Sequence, residues 1–230
     1  MRKNAAFAGG GLASVEGLGG YAVICTDVTF DSFSGASIGA LIAVCLCVGK
    51  QSSEIRDFLA VNIESFCCFI LGRKRIQKEV DAFLGKMLYR DLPKECIVSI
   101  TPLRRNFPSI ITRDNAGNLT AGEAVALSAA LPGLFLPGFV KLDGKRAFVL
   151  DGGILHNPPL HSDYENFLFS YCNSGSIVDN FWNRRRWKIE EEADYLFTPY
   201  TKYGVLGKHD DVLAVFEEGK LAMEARRRNK

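Results

Sequence analysis

The pentapeptide Gly35-Ala36-Ser37-Ile38-Gly39 most restricts how this chain can fold. Upstream, Val28, Phe30 and Phe33 are β-branched or aromatic and suit a strand that runs to Phe33. Downstream, Ile38 to Val48 is an apolar run with Ala and Leu that suits a helix. A serine at such a junction sits on a sharp strand-to-helix turn. Its hydroxyl is pushed outward, and the N–H groups of the following helix aim at the same point. The two glycines, Gly35 and Gly39, allow the tight backbone and the close approach of neighbouring elements. Ser37 is therefore the leading nucleophile candidate. A small-residue turn without chemistry would carry the same letters, so the motif needs support from elsewhere.

Two more glycine-marked turns supply that support. Ala5 to Ala8 reads as the end of a short buried strand, followed by Gly9-Gly10-Gly11 and a helix from Ala13 to Tyr21. Ala147 to Leu150 reads as a strand ending at Asp151-Gly152-Gly153. Strand, glycine loop, helix, strand, turn and helix in this order predict parallel pairing in an α/β sheet. The carboxyl ends of parallel strands form the crevice where ligands bind, and all three turns are expected to face it. Acyl transfer by a serine needs a nucleophile, a base and donors for the oxyanion. Ser37 can attack and Asp151 can accept its proton. Burial beside Gly152 and Gly153, away from cations, would raise the basicity of Asp151. The backbone N–H groups of Gly9, Gly10 and Gly11 are the candidate oxyanion donors, with Gly10 and Gly11 foremost.

Between these turns the pattern is mostly helical from Ser53 to Tyr89, with apolar residues at helical spacing through Phe58, Leu59, Ile63 and Phe66 and a second helical segment over Arg75 to Leu88. Cys96 to Ile100 reads as a strand and Asp114 to Asn118 as a turn. Thr120 with Glu123 forms a capping box for a helix through Leu131, which Pro132-Gly133 stops. Residues 160 to 190 carry no clear period. Phe197 to Thr201 includes a strand end, and Asp211 to Arg228 is a terminal helix.

Composition narrows the function classes. The chain has 230 residues, 47% hydrophobic and 23% charged, which suits one α/β domain over 1–230. A net charge of +2 argues against a nucleic-acid partner. Arg184 to Arg186 with Lys188, and Arg226 to Arg228 with Lys230, read as solvated surface and a tail. The seven cysteines (Cys25, Cys45, Cys47, Cys67, Cys68, Cys96 and Cys172) are odd in number and most sit in apolar runs. Buried free thiols in a reducing, cytoplasmic compartment fit better than disulfides or a zinc site. Gly9-Gly10-Gly11 breaks the faint N-terminal resemblance to a secretory signal. The apolar stretch Gly35 to Gly49 falls short of the ~20 residues that span a bilayer. No calcium loop or metal-ligand spacing is present, so neither metal nor other cofactor is expected.

Taken together, Gly9 to Ser14, Gly35 to Gly39 and Asp151 to Gly153 resemble the signatures of the patatin-like phospholipase family, lipid acyl hydrolases with a Ser–Asp dyad. Ser128-Ala-Ala-Leu-Pro-Gly-Leu-Phe135, Gly153-Ile-Leu-His-Asn-Pro-Pro159 and Phe216 to Ala222 add to the likeness. The resemblance implies a three-layer α/β/α sandwich with a mostly parallel sheet, Ser37 and Asp151 as the dyad, and Asn157-Pro158 fixing the loop below Asp151. It also implies a phospholipid or other fatty acyl ester as substrate, met at a transient, peripheral membrane contact. Leu134, Phe135 and Leu136 are candidates for holding the acyl chain. Two features depart from the family: Ala13 and Ser14 stand where the loop usually has a basic residue and a glycine, and the chain is short, with little room for a lid.

Other readings stay open at this point. The order Ser37, Asp151, His209 is compatible with a Ser–His–Asp hydrolase, although Ser37 comes early for that class. The dyad chemistry also serves an acyltransferase, and Ala13 and Ser14 are compatible with a non-catalytic lipid-binding protein. A dinucleotide site fails, because Gly9-x-Gly11-x-x-Ser14 lacks the last glycine. Oligomeric state is not legible.

Overall fold

The computed structural model describes residues 1–66, 72–170, 189, 191–199, 202–204 and 207–228. In chain order its elements are β1 (Lys3–Phe7), α1 (Ser14–Ile24), β2 (Ser32–Gly35), α2 (Ile38–Cys47), α3 (Ser52–Phe66), α4 (Gly72–Phe83) and β3 (Glu95–Pro102). There follow β4 (Ile110–Ile111), α5 (Ala121–Ser128), β5 (Gly138–Leu142), β6 (Lys145–Asp151), β7 (Glu165–Phe169), β8 (Tyr195–Phe197) and α6 (His209–Arg228). The strands join in one sheet of order β5-β6-β3-β2-β1-β7-β8, with β4 also paired to β3. The five strands from β3 to β8 along this order are parallel, while β4, β5 and β6 are antiparallel. Helices flank the sheet, as expected for an α/β fold.

The two faces of the central strands differ in chemistry. Phe7, Phe33 and Phe169 bury their rings on the face that receives Tyr21 of α1; Phe7 stacks on Phe169 at 5.1 Å and meets Tyr21 edge-on at 5.6 Å. Connections β1–α1–β2 and β2–α2–β3 step the same way along the sheet, so right-handed crossovers put α1 and α2 on this face. The opposite face is polar yet buried. Asn4 Nδ2 donates to Ser34 Oγ at 3.0 Å and to Asn166 Oδ1 at 2.9 Å. The segment 152–164 lies against it: Asn166 Nδ2 donates to the carbonyls of His161 and Tyr164, and the His161 N–H donates to Asn166 Oδ1. Buried amides need such partners, and a loop with irregular carbonyls provides them.

Several boundaries differ from the sequence expectation. Val28, Thr29 and Phe30 precede the second strand, which begins at Ser32 and continues past Phe33 to Gly35. Phe30 is buried all the same, edge-on to the Phe167 ring at 5.2 Å, so its strand-like character reflects tertiary packing. The helix expected to run to Leu88 ends at Phe83, because Gly85 and Lys86 take left-handed φ values. The α5 helix ends at Ser128, three residues before Leu131. Strands β4, β5 and β7 carried no clear signal; β7 nevertheless pairs with β1 near the middle of the sheet. Cys45, Cys47 and Cys96 are buried free thiols, whereas Cys25 is exposed. Cys67, Cys68, Cys172, Arg184 to Lys188, Tyr200, Thr201 and Lys230 lie outside the described residues. Among the described residues no helix is long and apolar enough to cross a membrane.

The capping box forms as expected. Thr120 Oγ1 accepts from the Glu123 N–H at 3.0 Å, and the Glu123 carboxylate accepts from the Thr120 backbone. Thr120 Oγ1 also donates to Asp81 Oδ2 at 3.0 Å, and Asp81 Oδ1 accepts from the Gly122 N–H, which ties α4 to the start of α5. Thr120→Ala removes a cap and strands one interhelix contact. It is expected to lower unfolding stability by about 1–2 kcal/mol, read from the urea midpoint at unchanged m-value. An unmoved midpoint would show that α5 starts without this cap.

Candidate active site

Ser37 stands at the N-terminus of α2 with φ 55° and ψ −126°. Such a backbone costs a non-glycine residue roughly 1–3 kcal/mol and persists only where its surroundings hold it. The strain therefore falls on the serine itself, while the flanking glycines serve close approach. A Cβ on Gly39 would lie 2.2 Å from the Phe7 carbonyl oxygen, and one on Gly35 would lie 2.2 Å from that of Gly39. The Ser37 N–H donates to Ser128 Oγ at 2.9 Å, and the Ser37 carbonyl accepts from the Ala40 N–H at 2.9 Å.

Asp151 reaches the same place by a route the sequence did not suggest. All three glycine-marked turns were expected to close parallel strands, but β6 is antiparallel to β3. It pairs only with the end of β3, Ile100 opposite Asp151 through Pro102 opposite Val149. The strand thus starts beyond the carboxyl edge and runs back into the crevice, where Asp151 is its last residue. The Asp151 N–H donates to the Ala130 carbonyl at 2.9 Å, and its carbonyl accepts from Thr101 Oγ1 at 2.7 Å. Ser128 and Ala130, two residues apart, thereby hold Ser37 and Asp151 respectively.

The Asp151 side chain is buried. Oδ1 accepts the Gly153 N–H at 2.8 Å, while Oδ2 has no hydrogen bond of normal length and angle. Burial pushes its pKa up to about 7; the Ser37 side chain and the Gly153 N–H oppose the rise by favouring the ionised form. The expected rise in basicity is thus present, and its cause is desolvation. Gly152 packs on Ser99, with no room for a side chain.

The glycine loop divides in its roles. Gly9 is not a spare donor: its N–H donates to Asn157 Oδ1, and its carbonyl accepts from Asn157 Nδ2 at 3.1 Å. Asn157, in the loop that follows Asp151, thereby ties that loop to the residue two positions past the end of β1. Gly10 is partly exposed, and Gly11 borders Ser37 in a narrow apolar crevice of about 40 Å³. Ile38, Ile63, Phe66, Ile76, Leu134 and Phe135 line it further. Leu134 and Phe135 sit as expected, but Leu136 points to solvent, 52% exposed. Ile63, Phe66 and Ile76 were legible only as helix core; nothing in their spacing marked them as crevice walls. Ala13 is buried at the end of a 3-10 turn, and Ser14, the first residue of α1, is buried beside it.

No histidine joins Ser37 and Asp151. His209 is exposed and bonds to Asp210, His161 Nε2 pairs with Glu95 Oε1 at 3.0 Å, and His156 Nε2 meets Ser109 Oγ at 3.2 Å. The reading that would use His209 is left without geometric support.

Comparison with known proteins gives the family. The family model of patatin-like phospholipases matches residues 5–164, and the chain belongs to that family. A cGAMP-activated phospholipase of Escherichia coli (strain TW11681) is 24% identical over 153 residues, taking in 56% of this chain and 42% of that one. The crystal structure of VipD from Legionella pneumophila superposes with a TM-score of 0.59 at 14% identity, over 97% of this chain and 66% of that one. That likeness is one of fold. The chain therefore spans less than half of the curated relative and about two thirds of VipD.

The buried carboxyl has a consequence for stability. An unfolded aspartate ionises near pH ~4, whereas Asp151 in the fold ionises at about 7. Below ~4 both states hold the proton; above it the folded chain keeps a proton that the unfolded chain has lost, so stability falls as pH rises through this window. Asp151→Asn is expected to match the wild type near pH 4 and to exceed it in unfolding free energy at pH 8. Parallel stability curves for the two proteins across that range would contradict the assigned burial cost.

Proposed function

We propose that this protein hydrolyses fatty acyl esters, with phospholipid or lysophospholipid as substrate class, through Ser37 as nucleophile and Asp151 as general base. The observation that carries this reading is a carboxyl buried until its pKa approaches neutrality, beside a serine held in a strained turn against an apolar crevice. Membership of a phospholipase family and the name of the Escherichia coli relative support the choice of substrate.

In the proposed reaction Asp151 Oδ2 takes the Ser37 proton as Oγ attacks the ester carbonyl. The electron pair of the carbonyl moves to its oxygen, where the N–H groups of Gly10 and Gly11 stabilise it. Collapse breaks the bond to the leaving alcohol, which receives the proton from Asp151. Water then attacks the acyl-enzyme, giving its proton to the same carboxylate, and the Ser37 oxygen leaves to be reprotonated. A carboxyl ionising near 7 is suited to hold and return the proton at neutral pH. The crevice, at about 40 Å³, accepts the first carbons of the acyl chain, and a longer chain requires its walls to move apart.

Ser37→Ala and Asp151→Asn are each expected to lower kcat for ester hydrolysis by at least ~1,000-fold with little change in KM. The activity of the wild type should climb about tenfold per pH unit below 7 and level off above it, since only ionised Asp151 can accept the proton. A fluorophosphonate probe should label Ser37 alone. An Asp151→Asn enzyme of undiminished rate would exclude the dyad. Transfer of labelled acyl groups to an added alcohol in preference to water would assign the same dyad to an acyltransferase.

A further inference from the structure

The β5–β6 hairpin turns an apolar and basic face outward. Phe139 and Phe148 stand opposite each other across the ladder, their ring centroids 5.2 Å apart, and are 50% and 56% exposed. They are the two exposed phenylalanines among the described residues. Leu103 joins them through its N–H, which donates to the Phe148 carbonyl at 2.8 Å, and its side chain is 60% exposed. On the other face of the hairpin Val140, Leu142, Ala147 and Val149 are buried, so the fold makes no use of the outer aromatic pair.

The charges on the outer face of the hairpin are basic, while Asp114 and Glu123 share a groove with Phe139 and Lys141 beside it. Beyond the aromatic pair along the ladder, Lys141 stands opposite Arg146, two like charges that disfavour the pairing. Arg104 and Arg105 are exposed nearby, and Arg104 Nη1 donates to the Arg146 carbonyl at 3.1 Å; Lys145, opposite Leu142, belongs to the inner face by its register. None of the four cations Lys141, Arg146, Arg104 and Arg105 forms a salt bridge with a described residue, and the one acid of the hairpin is Asp143 at its tip. Such a surface lowers its energy by meeting anions and burying the rings together.

Its position ties it to the candidate site. Leu134 and Phe135 line the crevice at Ser37, the exposed Leu136 follows, and β5 begins two residues later; β6 ends at Asp151. We infer that the outer face of this hairpin seats the protein on a membrane containing anionic lipid, with Phe139 and Phe148 entering the acyl boundary and the four cations among the head groups. The choice of a lipid surface over a protein partner rests on the acyl-ester reading above. The docking itself is independent of turnover.

The test uses Ser37→Ala protein, so that binding is read without hydrolysis. It is sedimented with vesicles of phosphatidylcholine alone or mixed with phosphatidylglycerol. Strong binding is expected only to the mixed vesicles, and added salt should weaken it. K141E/R146E should reduce affinity for mixed vesicles more than about tenfold, and R104E/R105E should do the same from a second pair of positions. F139S/F148S should reduce binding without changing its salt dependence. With Ser37 intact, all three double variants should hydrolyse a soluble short-chain ester at the wild-type rate and keep the wild-type melting temperature. Equal sedimentation of wild type and variants would overturn the inference. So would variants that convert a dimer to a monomer with vesicle binding unchanged, which would assign the face to a second copy. Docking as expected, with no ester hydrolysis by the Ser37 protein, would uphold the membrane surface and remove the enzymatic reading alone.

Discussion

The hydrogen bond from the Ser37 amide to Ser128 Oγ is the contact on which the rest of the site depends. A serine in a left-handed backbone relaxes unless something holds it, and here one strut is a hydroxyl from the last residue of α5. The same stretch of chain, two residues on, accepts the Asp151 amide through Ala130. The relative placement of a hydroxyl and a carboxyl far apart in sequence is thus set by one short segment, and a shift of α5 moves both together.

Bringing Asp151 in on an antiparallel strand has an energetic side. At a parallel strand end the carboxylate would sit in the open crevice with water around it. Running β6 back from beyond the edge of β3 drives the carboxyl inward, and its ionised form loses hydration. The Gly153 amide returns part of what is lost through one oxygen, while the other is left to the serine side. A destabilised anion of this kind is what a proton acceptor near neutral pH requires, and it trades fold stability for reactivity.

Much of this was legible in the residues, and the misses share a cause. Gly35 to Gly39, Thr120 with Glu123, and Asp151 to Gly153 are local signals whose geometry the chain determines within a few residues, and the structure has them where they were expected. The direction of β6 depends on which neighbour it pairs with, and no local pattern encodes that. The partner that Asn157 takes was not legible for the same reason, since Gly9 lies 148 residues away. Ile63 and Ile76 show the helical spacing of core residues, and a crevice wall has the same spacing as a core. Phe30 read as strand because burial and strand preference select the same side chains.

The two hydrogen bonds between Asn157 and Gly9 also bear on synthesis. The first glycine loop is made 148 positions before the residue that anchors it, and the support for Ser37 arrives 91 positions after the serine. A nascent chain shorter than this carries the elbow and the loop without their braces. The site therefore stays unfinished until Asn157 has been made, and only then do its parts lock into register.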